Sequence, residues 1–324
     1  MKSELFLLKD SFRKSKILVV GDLMLDQYFF GQSSRQSPEA DVPVITKSNE
    51  DFFLGGAANT AFNIKMLGRG KVGLCGVVGS DISGKIITEL CQKAKLNFEG
   101  LYQDKNHVTT TKKRIYFKNQ QLLRIDTEQS KISQRAEHYI LNYIQKNINR
   151  YDLVVVSDYN KGVINAGLMK NIVNLTSKQG KKVIVDPKQD LSIYFSANYI
   201  TPNLHELEKF AKISNNSLKG IIKESNDLLN RYQIENLLVT MGEKGMLFIN
   251  SEFSQFIKTK KVLNADVVGA GDTVVASLSL CIAAGLNGIL SSKISNEAAR
   301  ISVSKSGTSS VSFDELSEKI TSYF

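Results

Sequence analysis

The residues best suited to chemistry lie close together, in the stretch from Asp266 to Thr273 that contains Gly269, Gly271 and Asp272. The apolar run from Val274 to Ala284 follows it and predicts a buried helix. Backbone N–H groups gather at such a helix start and, with the positive end of the helix dipole, favour an anion. A carboxylate beside a bound phosphate can accept the proton of an attacking hydroxyl, which indicates phosphoryl transfer with Asp272 as the base. The competing interpretation is that Asp272 complements the dipole and the glycines only make a turn.

Polar residues also recur where predicted strands end, at Asp22, Asp158, Asp186 and Asn203. The carboxyl ends of parallel strands meet at one edge of a sheet, where a ligand crevice forms. We therefore expect these side chains to line a common crevice, with Asp22 and the nearby Asp26 facing a substrate. Two alternatives remain open: Asp22 is only a turn residue, and Asn203 with Glu206 is only a capping box at a helix start.

The elements that must position these residues are strands and helices in alternation along the chain. That order predicts an α/β fold with a doubly wound, mainly parallel sheet and helices on both faces. Two β-rich segments, at about residues 28–47 and 104–126, interrupt the alternation, and Pro38 and Pro43 argue against a central strand in the first. We expect them to form a small β-sheet lid. The chain shows no repeat and no linker, which favours one domain over residues 1–324.

Two glycine motifs resemble nucleotide-binding signatures without matching their context. Residues 68–73 fit the spacing G-x-G-x-x-G, but they follow a predicted helix and precede a strand, the reverse of the dinucleotide-binding order. Residues 79–85 fit most of a P-loop, but Ile86 stands where that motif requires a magnesium-binding hydroxyl. We therefore interpret the first motif as a helix stop and expect no P-loop at the second.

Composition argues against several classes of protein. The net charge is +10, but the lysines are scattered and no basic run with interleaved aromatics predicts nucleic-acid binding. No apolar stretch is long enough to cross a bilayer, and residues 1–16 lack a secretory apolar region. Cys75, Cys91 and Cys281 form no metal or disulfide pattern, so we expect free buried thiols and a reducing cytoplasm.

In their order along the chain, these elements resemble the ribokinase-like (PfkB) sugar kinases over about residues 16–312. The motifs that carry the resemblance are Gly21-Asp22 with Asp26, Gly55-Gly56-Ala57-Ala58-Asn59, Gly79-x-Asp81-x-x-Gly84, Asn203-x-x-Glu206, Thr240-x-Gly242-x-x-Gly245 and Asp266-x-x-Gly269-Ala270-Gly271-Asp272. The resemblance implies an α/β core with a β lid, the cofactors ATP and Mg²⁺, and Asp272 as catalytic base. It also implies an anion hole for the transferring phosphoryl group at Gly269, Ala270 and Gly271.

The resemblance further implies which residues bind the two substrates. The residues expected at the sugar are Asp22, Asp26, Gly55, Gly56, Asn59 and Asp158. The residues expected at ATP are Asn203, Glu206, Thr240, Gly242, Gly245 and Asn296. Magnesium is expected near Asp186 and, through water, near Glu206. A monovalent cation such as K⁺ and a homodimer formed through the β lid are also expected.

Within that family, the chain is similar to the members that phosphorylate D-glycero-β-D-manno-heptose 7-phosphate. The similar stretches are residues 21–28, 34–40, 119–126, 157–162 and 186–188. This similarity implies transfer to the anomeric hydroxyl, giving a 1,7-bisphosphate for lipopolysaccharide or a related glycan, by a stand-alone kinase. Asp41 departs from the small or apolar residue usual there. The alternatives are another phosphosugar kinase of the family, a ligand-binding regulator without catalysis, and a nucleic-acid-binding protein.

A sugar that already carries a phosphate brings about −2 charge, which cations in the lid and the cleft must match. The candidates are Arg35, Lys161 and Lys188, with Lys112 and Arg124 behind them. Each of these side chains, taken alone, could also be a solvated surface cation, and that interpretation is favoured for Lys112.

Overall fold

The structure is a computed structural model that describes residues 2–118, 120–211, 217–305, 307 and 309–323. Its strands are β1 Lys16–Gly21, β2 Leu23–Gln36, β3 Pro43–Gly56, β4 Lys71–Gly79, β5 Asn97–Asp104, β6 Thr110–Phe117, β7 Gln120–Thr127, β8 Leu153–Ser157, β9 Lys182–Asp186, β10 Tyr199–Ile200, β11 Asn236–Thr240, β12 Gly245–Asn250 and β13 Ser254–Lys258. Its α-helices are α1 Lys2–Lys14, α2 Ala57–Gly68, α3 Ile82–Lys93, α4 Gln134–Asn147, α5 Ala166–Ser177, α6 Leu204–Ala211, α7 Leu218–Tyr232, α8 Ala270–Ala283, α9 Gly288–Ser302 and α10 Phe313–Ile320.

Within these residues, nine strands form the large sheet in the order β13-β12-β11-β10-β9-β8-β1-β4-β5. The strands from β11 to β5 pair in parallel, and β12 and β13 add antiparallel pairs at one edge. Parallel strands are covered on both faces and read as continuous apolar runs, as β1 and β8 do. The predicted mainly parallel, doubly wound sheet is therefore confirmed.

Two apolar cores cover the two faces of this sheet. Alternate residues of β1 point to opposite faces, so Ile17 and Val19 join one core while Leu18 and Val20 join the other. Helices α1, α2, α3, α8, α9 and α10 contribute to the first core, and α4, α5, α6 and α7 contribute to the second. Helix α8 is buried almost throughout because it packs between the sheet and helices α2 and α9.

A separate four-stranded sheet, in the order β3-β2-β6-β7, forms the small sheet that the sequence predicts. Its strands β2 and β3 run farther than the predicted lid segment 28–47, from Leu23 to Gly56. The two prolines explain why the segment looked interrupted: Pro38 lies in the connection between the strands, and Pro43 is the first residue of β3. Only Asp22 separates β1 from β2, so the base of the small sheet lies at the carboxyl end of the large one.

The turn after β4 supports this base rather than forming a P-loop. Asp81 precedes α3, and its carboxylate accepts hydrogen bonds from the amide of Gly84 (2.7 Å), the amide of Thr109 (2.8 Å) and the Thr109 hydroxyl (2.7 Å). Thr109 directly precedes β6, so the carboxylate joins the start of α3 to a strand of the small sheet. The first glycine motif also behaves as expected, since Gly68 is the last residue of α2.

Cys75, Cys91 and Cys281 are buried free thiols, as predicted. Burial raises the pKa of the Cys91 thiol to about 12, which keeps it protonated and unreactive at neutral pH. Among the described residues, no helix combines the length and the apolar character needed to span a membrane.

Candidate active site

The catalytic candidate Asp272 lies in the first turn of α8, at the edge where the two sheets meet. The helix begins at Ala270, and Gly269 precedes it with φ 76°, a backbone conformation that favours glycine. A Cβ atom on Gly271 would meet nothing within 4 Å, so packing does not require a glycine there. The first turn of the helix is therefore open toward a ligand, as an anion hole would need.

The carboxylate of Asp272 is 5% exposed and is held by three hydrogen bonds. The Asn59 amide donates to Oδ2 (2.6 Å), and the hydroxyls of Thr60 (2.7 Å) and Tyr159 (2.9 Å) donate to Oδ1. Burial raises the pKa of Asp272, while these hydrogen bonds and the charge of Lys188 oppose that rise. The arrangement fixes the direction of the carboxylate, as a general base requires.

A cavity of about 480 Å³ lies beside this helix start. Sequence-predicted residues that line it are Asn203, Thr240, Gly242, Gly245, Ala270, Gly271 and Asn296. Its volume is in the range of small-molecule sites in proteins. Residues predicted for the nucleotide and for the anion hole therefore share one cavity, although they come from distant parts of the chain.

The order of the strands explains how these residues meet. Asn203 forms a parallel bridge with Thr240, which places the start of α6 beside the end of β11. The turn from Gly242 to Gly245 then leads into β12. On the other side, the Asn296 amide of α9 donates to the Lys258 carbonyl (3.1 Å), where β13 ends. The cavity thus lies at the carboxyl end of β11, as expected for an α/β sheet.

Asn203 and Glu206 form a capping box at the start of α6, which is one of the two interpretations of this pair that the sequence allows. The Asn203 amide donates to Glu206 Oε2 (2.9 Å), and the Glu206 amide donates to Asn203 Oδ1 (2.9 Å). The other carboxylate oxygen of Glu206 pairs with Lys188. Both oxygens of Glu206 thus already have partners, and the contact with magnesium through water stays a prediction.

Asp186 is the second acidic group on this side of the site. It is 6% exposed, and burial raises its pKa to about 7 although Lys188 opposes the rise. The described part of the chain contains no group of three His, Cys, Asp or Glu residues able to hold a metal. One or two carboxylates with substrate phosphates are the usual protein share of a Mg²⁺ site. Asp186 fits that requirement, and the contact of Glu206 through water stays a prediction.

Asp22 has a different environment from the expected contact with a sugar. Its carboxylate accepts the backbone amides of Tyr159 (2.8 Å), Lys161 (3.0 Å) and Val163 (3.0 Å). Burial raises the pKa of Asp22 to about 6, and these backbone hydrogen bonds oppose the rise. Asp22 therefore holds the loop that follows β8, and its contact with a sugar stays a prediction.

Asp158 has a similar role in the same loop. Its carboxylate accepts the Asn160 amide (2.6 Å), the Gln189 side-chain amide (2.7 Å) and the Tyr194 hydroxyl. The residue is fully buried, and its contact with a sugar stays a prediction. The loop therefore rests on two buried carboxylates, and Asp158 supports the site from behind.

We expect Asp22→Ala to lower the free energy of unfolding by about 3 kcal/mol or more. The substitution leaves three amides in a buried loop without their acceptor, and each unsatisfied group costs about 1–3 kcal/mol. Urea unfolding measures this loss. The control Asp10→Ala removes an exposed carboxylate of α1 and should stay within about 0.5 kcal/mol of wild type. A loss below about 1 kcal/mol in Asp22→Ala would contradict the role of this carboxylate.

Asp26 and the glycine pair meet at the base of the small sheet. Asp26 forms a buried ion pair with Arg114 (2.6 Å), a cation of the β6–β7 hairpin that the sequence does not assign to the site. A Cβ atom on Gly55 would approach Asp26 Oδ2 to 2.6 Å, so the backbone of β3 runs against this carboxylate. Contacts of Asp26, Gly55 and Gly56 with a sugar stay predictions.

The cations that were predicted to read the sugar phosphate separate into two groups. Lys112 and Lys188 lie near the Tyr159 ring, with Nζ 5.5 and 5.9 Å from its centroid. Burial lowers the pKa of Lys112, so the favoured interpretation of Lys112 as a solvated surface cation is corrected. Lys161 forms the second group: it lies in the loop that follows β8, two residues after Tyr159, and pairs with Glu128.

Arg124 and Arg35 lie farther out on the small sheet. Arg124 is exposed on β7 and pairs with Asp126 (2.9 Å). Arg35 is next to last in β2, the strand that begins at Leu23 beside the site. At roughly 3.3 Å per residue, the two ends of such a strand are about 40 Å apart. Arg35 therefore lies too far from the site of its own chain to bind the sugar phosphate there.

Comparison with known proteins shows the family to which the chain belongs. The model of the pfkB family carbohydrate kinases matches residues 14–315. The chain is 39% identical over 305 residues to the bifunctional protein HldE of Helicobacter pylori strain G27, covering 93% of this chain and 65% of that protein. It is also 39% identical over 308 residues to the protein of that name from Sulfurimonas denitrificans, covering 94% and 64%. The chain thus spans somewhat less than two thirds of the length of these relatives.

Solved structures agree on the fold. Phosphofructokinase-2 from Escherichia coli in complex with potassium superposes with a TM-score of 0.78 at 18% identity, covering 96% of this chain and 99% of that one. Arabidopsis thaliana ribokinase complexed with ribose and ATP gives 0.73 at 17% identity, covering 94% and 98%. The family match covers nearly the whole chain and includes every element of the site described above. The chain therefore belongs to the pfkB family of carbohydrate kinases and is an ATP-dependent sugar kinase.

Proposed function

We propose that this kinase transfers the γ-phosphoryl group of ATP to the anomeric hydroxyl of D-glycero-β-D-manno-heptose 7-phosphate, giving the 1,7-bisphosphate. The observation that carries the proposal is the position of Asp272, a hydrogen-bonded carboxylate between the cavity at α8 and the cations near Tyr159. The resemblance of five sequence stretches to heptose 7-phosphate kinases supports the choice of sugar. The similarity to proteins named HldE supports it as well.

In this proposal ATP lies in the cavity between β11 and α9, with its phosphates directed to the first turn of α8. Backbone N–H groups around Gly269, Ala270 and Gly271 stabilise charge on the transferring group. Lys188, which pairs with Glu206, supplies a positive charge on the same side. Mg²⁺, held with Asp186 and through water with Glu206, would neutralise phosphate charge.

The acceptor hydroxyl approaches Asp272 from the side of the small sheet. Asp272 takes the hydroxyl proton while the sugar oxygen attacks the γ-phosphorus. The new bond joins the anomeric oxygen to phosphorus, the bond to the β–γ bridging oxygen breaks, and ADP leaves. The half-buried Lys112 has the position to meet the phosphate that the sugar already carries.

A panel of phosphosugars and free sugars, assayed for ATP-dependent ADP release, tests this function. We expect heptose 7-phosphate to give the highest kcat/KM and the unphosphorylated heptose to be used poorly. Equal use of both would contradict a phosphosugar substrate. A different phosphosugar with the highest kcat/KM would favour the alternative, another phosphosugar kinase of the family. The same assay with K⁺ replaced by Na⁺ tests the monovalent cation.

We also propose that two copies associate through their small sheets, because β7 is exposed along its length and carries exposed apolar side chains. These are Leu122 (45%), Leu123 (53%) and Ile125 (46%). Sedimentation velocity should give a dimer for wild type and a monomer for the double variant Leu123→Lys, Ile125→Lys. A wild-type monomer at micromolar concentration would contradict this proposal.

ATP as donor and a heptose glycan precursor as product make the cytoplasm the proposed compartment.

A further inference from the structure

Tyr159 contacts the proposed catalytic base, Asp272, but it is not one of the residues expected to bind ATP, magnesium or the sugar. It follows β8, and its hydroxyl donates to Asp272 Oδ1 at 2.9 Å. Its backbone amide donates to Asp22, so the residue is fixed at both ends. Lys112 from the small sheet and Lys188 from the loop after β9 both lie within 6 Å of its ring centroid. Cations at this distance from an aromatic ring attract it.

The distribution of hydrogen bonds on Asp272 is uneven. A carboxylate has two lone-pair positions on each oxygen. On Oδ1 both are filled, one by the Thr60 hydroxyl and the other by the Tyr159 hydroxyl. Among the residues that the structure describes, the Asn59 amide alone donates to Oδ2, so one position is open there. The Asn59 amide is itself oriented, because the Asn63 side chain donates to its carbonyl oxygen at 3.2 Å.

We propose that Tyr159 is a positioning residue for the base: with Thr60 it fills Oδ1 and leaves Oδ2 as the oxygen that receives the acceptor proton. The proton passes from the sugar hydroxyl to Asp272 Oδ2 as the sugar oxygen bonds to phosphorus. Tyr159 keeps its own proton throughout. The loop held by Asp22 and Asp158 is then the support that sets the direction of the base.

This inference rests on the proposed function only in requiring a hydroxyl acceptor at Asp272. The test is Tyr159→Phe, which keeps the ring between its neighbours and removes only the donor. We expect kcat to fall about tenfold, the effect of losing one hydrogen bond to a charged group. The KM values for ATP and for the sugar should stay within about twofold, because the variant leaves the binding surfaces in place.

A double-mutant cycle separates action through Asp272 from other roles. In the Asp272→Asn background, Tyr159→Phe should change the remaining kcat by less than about twofold. Thr60→Val, which opens the same oxygen, should lower kcat in the same way as Tyr159→Phe. The matched control is Tyr143→Phe, which removes a buried hydroxyl of α4 that lies 3.4 Å from the Tyr151 hydroxyl, and its kcat should equal that of wild type.

Three results would overturn the proposal: an unchanged kcat in Tyr159→Phe, a rise confined to the KM of the sugar, or a full tenfold loss that persists in the Asp272→Asn background. Thermal melts of each variant identify loss of folding, and Thr60→Val gives an independent answer if Tyr159→Phe does not fold. The cycle uses whichever acceptor wild type phosphorylates best. A wrong assignment of heptose 7-phosphate therefore appears in the wild-type panel, separately from the outcome of the cycle.

Discussion

Replacing Asp272 with asparagine should lower kcat by about 10²–10⁴-fold or more, the usual contribution of general-base assistance. The carboxylate lies in the first turn of α8 beside the cavity proposed for ATP, and three side chains fix its direction. Asparagine keeps the size of the side chain and a carbonyl oxygen that can accept from the Thr60 and Tyr159 hydroxyls, but its NH₂ group cannot accept from the Asn59 amide. A thermal melt of the variant therefore accompanies the kinetics, so that the loss of the base is separated from any loss of folding. Steady-state turnover with saturating ATP and sugar measures the effect.

ATP binding should survive the same substitution, because the cavity is lined by residues of β11, β12 and α9 as well as α8. Calorimetric titration with a non-hydrolysable ATP analogue serves as the control. Near-normal turnover in Asp272→Asn would remove Asp272 from the role of base.

In wild type, kcat should rise with pH through the pKa of Asp272, since only the unprotonated carboxylate accepts a proton, and burial places that pKa above its usual value.

The second large effect is expected at Lys112. Lys112→Ala should raise the KM for the phosphosugar about tenfold or more, because a charge-assisted hydrogen bond contributes about 1.5–3 kcal/mol. The KM for ATP should move much less, since Lys112 lies on the small sheet and not in the cavity proposed for the nucleotide. Initial rates with both substrates varied in turn give the two constants.

Arg35→Ala is the matched control on the same small sheet, because it removes a cation near the opposite end of β2. In the monomeric Leu123→Lys, Ile125→Lys background, its KM for the phosphosugar should match that of the same background without the Arg35 substitution. Lys188→Ala should affect both substrates, because Lys188 lies near Tyr159 and also pairs with Glu206. An unchanged phosphosugar KM in Lys112→Ala, or a tenfold rise in Arg35→Ala, would reverse this assignment of the phosphate pocket.

Much of the fold could be predicted from the sequence because its parallel strands are uniform apolar runs bounded by polar or glycine residues. The strands from Lys16 and Leu153 are of this kind, and both lie at the centre of the large sheet. Strand β5 was not predicted, because it is an edge strand with polar residues and a glycine among its apolar ones. Helix α1 was missed because charged residues interrupt its apolar run.

Part of the site could be predicted from the sequence, because some of its residues are identified by local spacing and others only by their distant partners. The spacing around Asp272 identifies a helix start with a carboxylate, which is local information. The backbone partners of Asp22 lie more than 100 residues away, and Asp158 accepts from Gln189 of a different loop. The sequence around each carboxylate therefore gives the same signal for a ligand contact and for a structural hydrogen bond. The burial of Lys112 depends on the packing of β6 against Tyr159, which no short pattern encodes.

The most direct test of the central claim is the ³¹P NMR spectrum of the product made from ATP and D-glycero-β-D-manno-heptose 7-phosphate. We predict a new sugar phosphate signal coupled to the anomeric proton, together with the retained 7-phosphate signal and one equivalent of ADP. The Asp272→Asn variant should give at least about a hundredfold less of this product in the same time. A product phosphorylated at another hydroxyl, or ADP formed without any sugar phosphate, would contradict the proposed reaction.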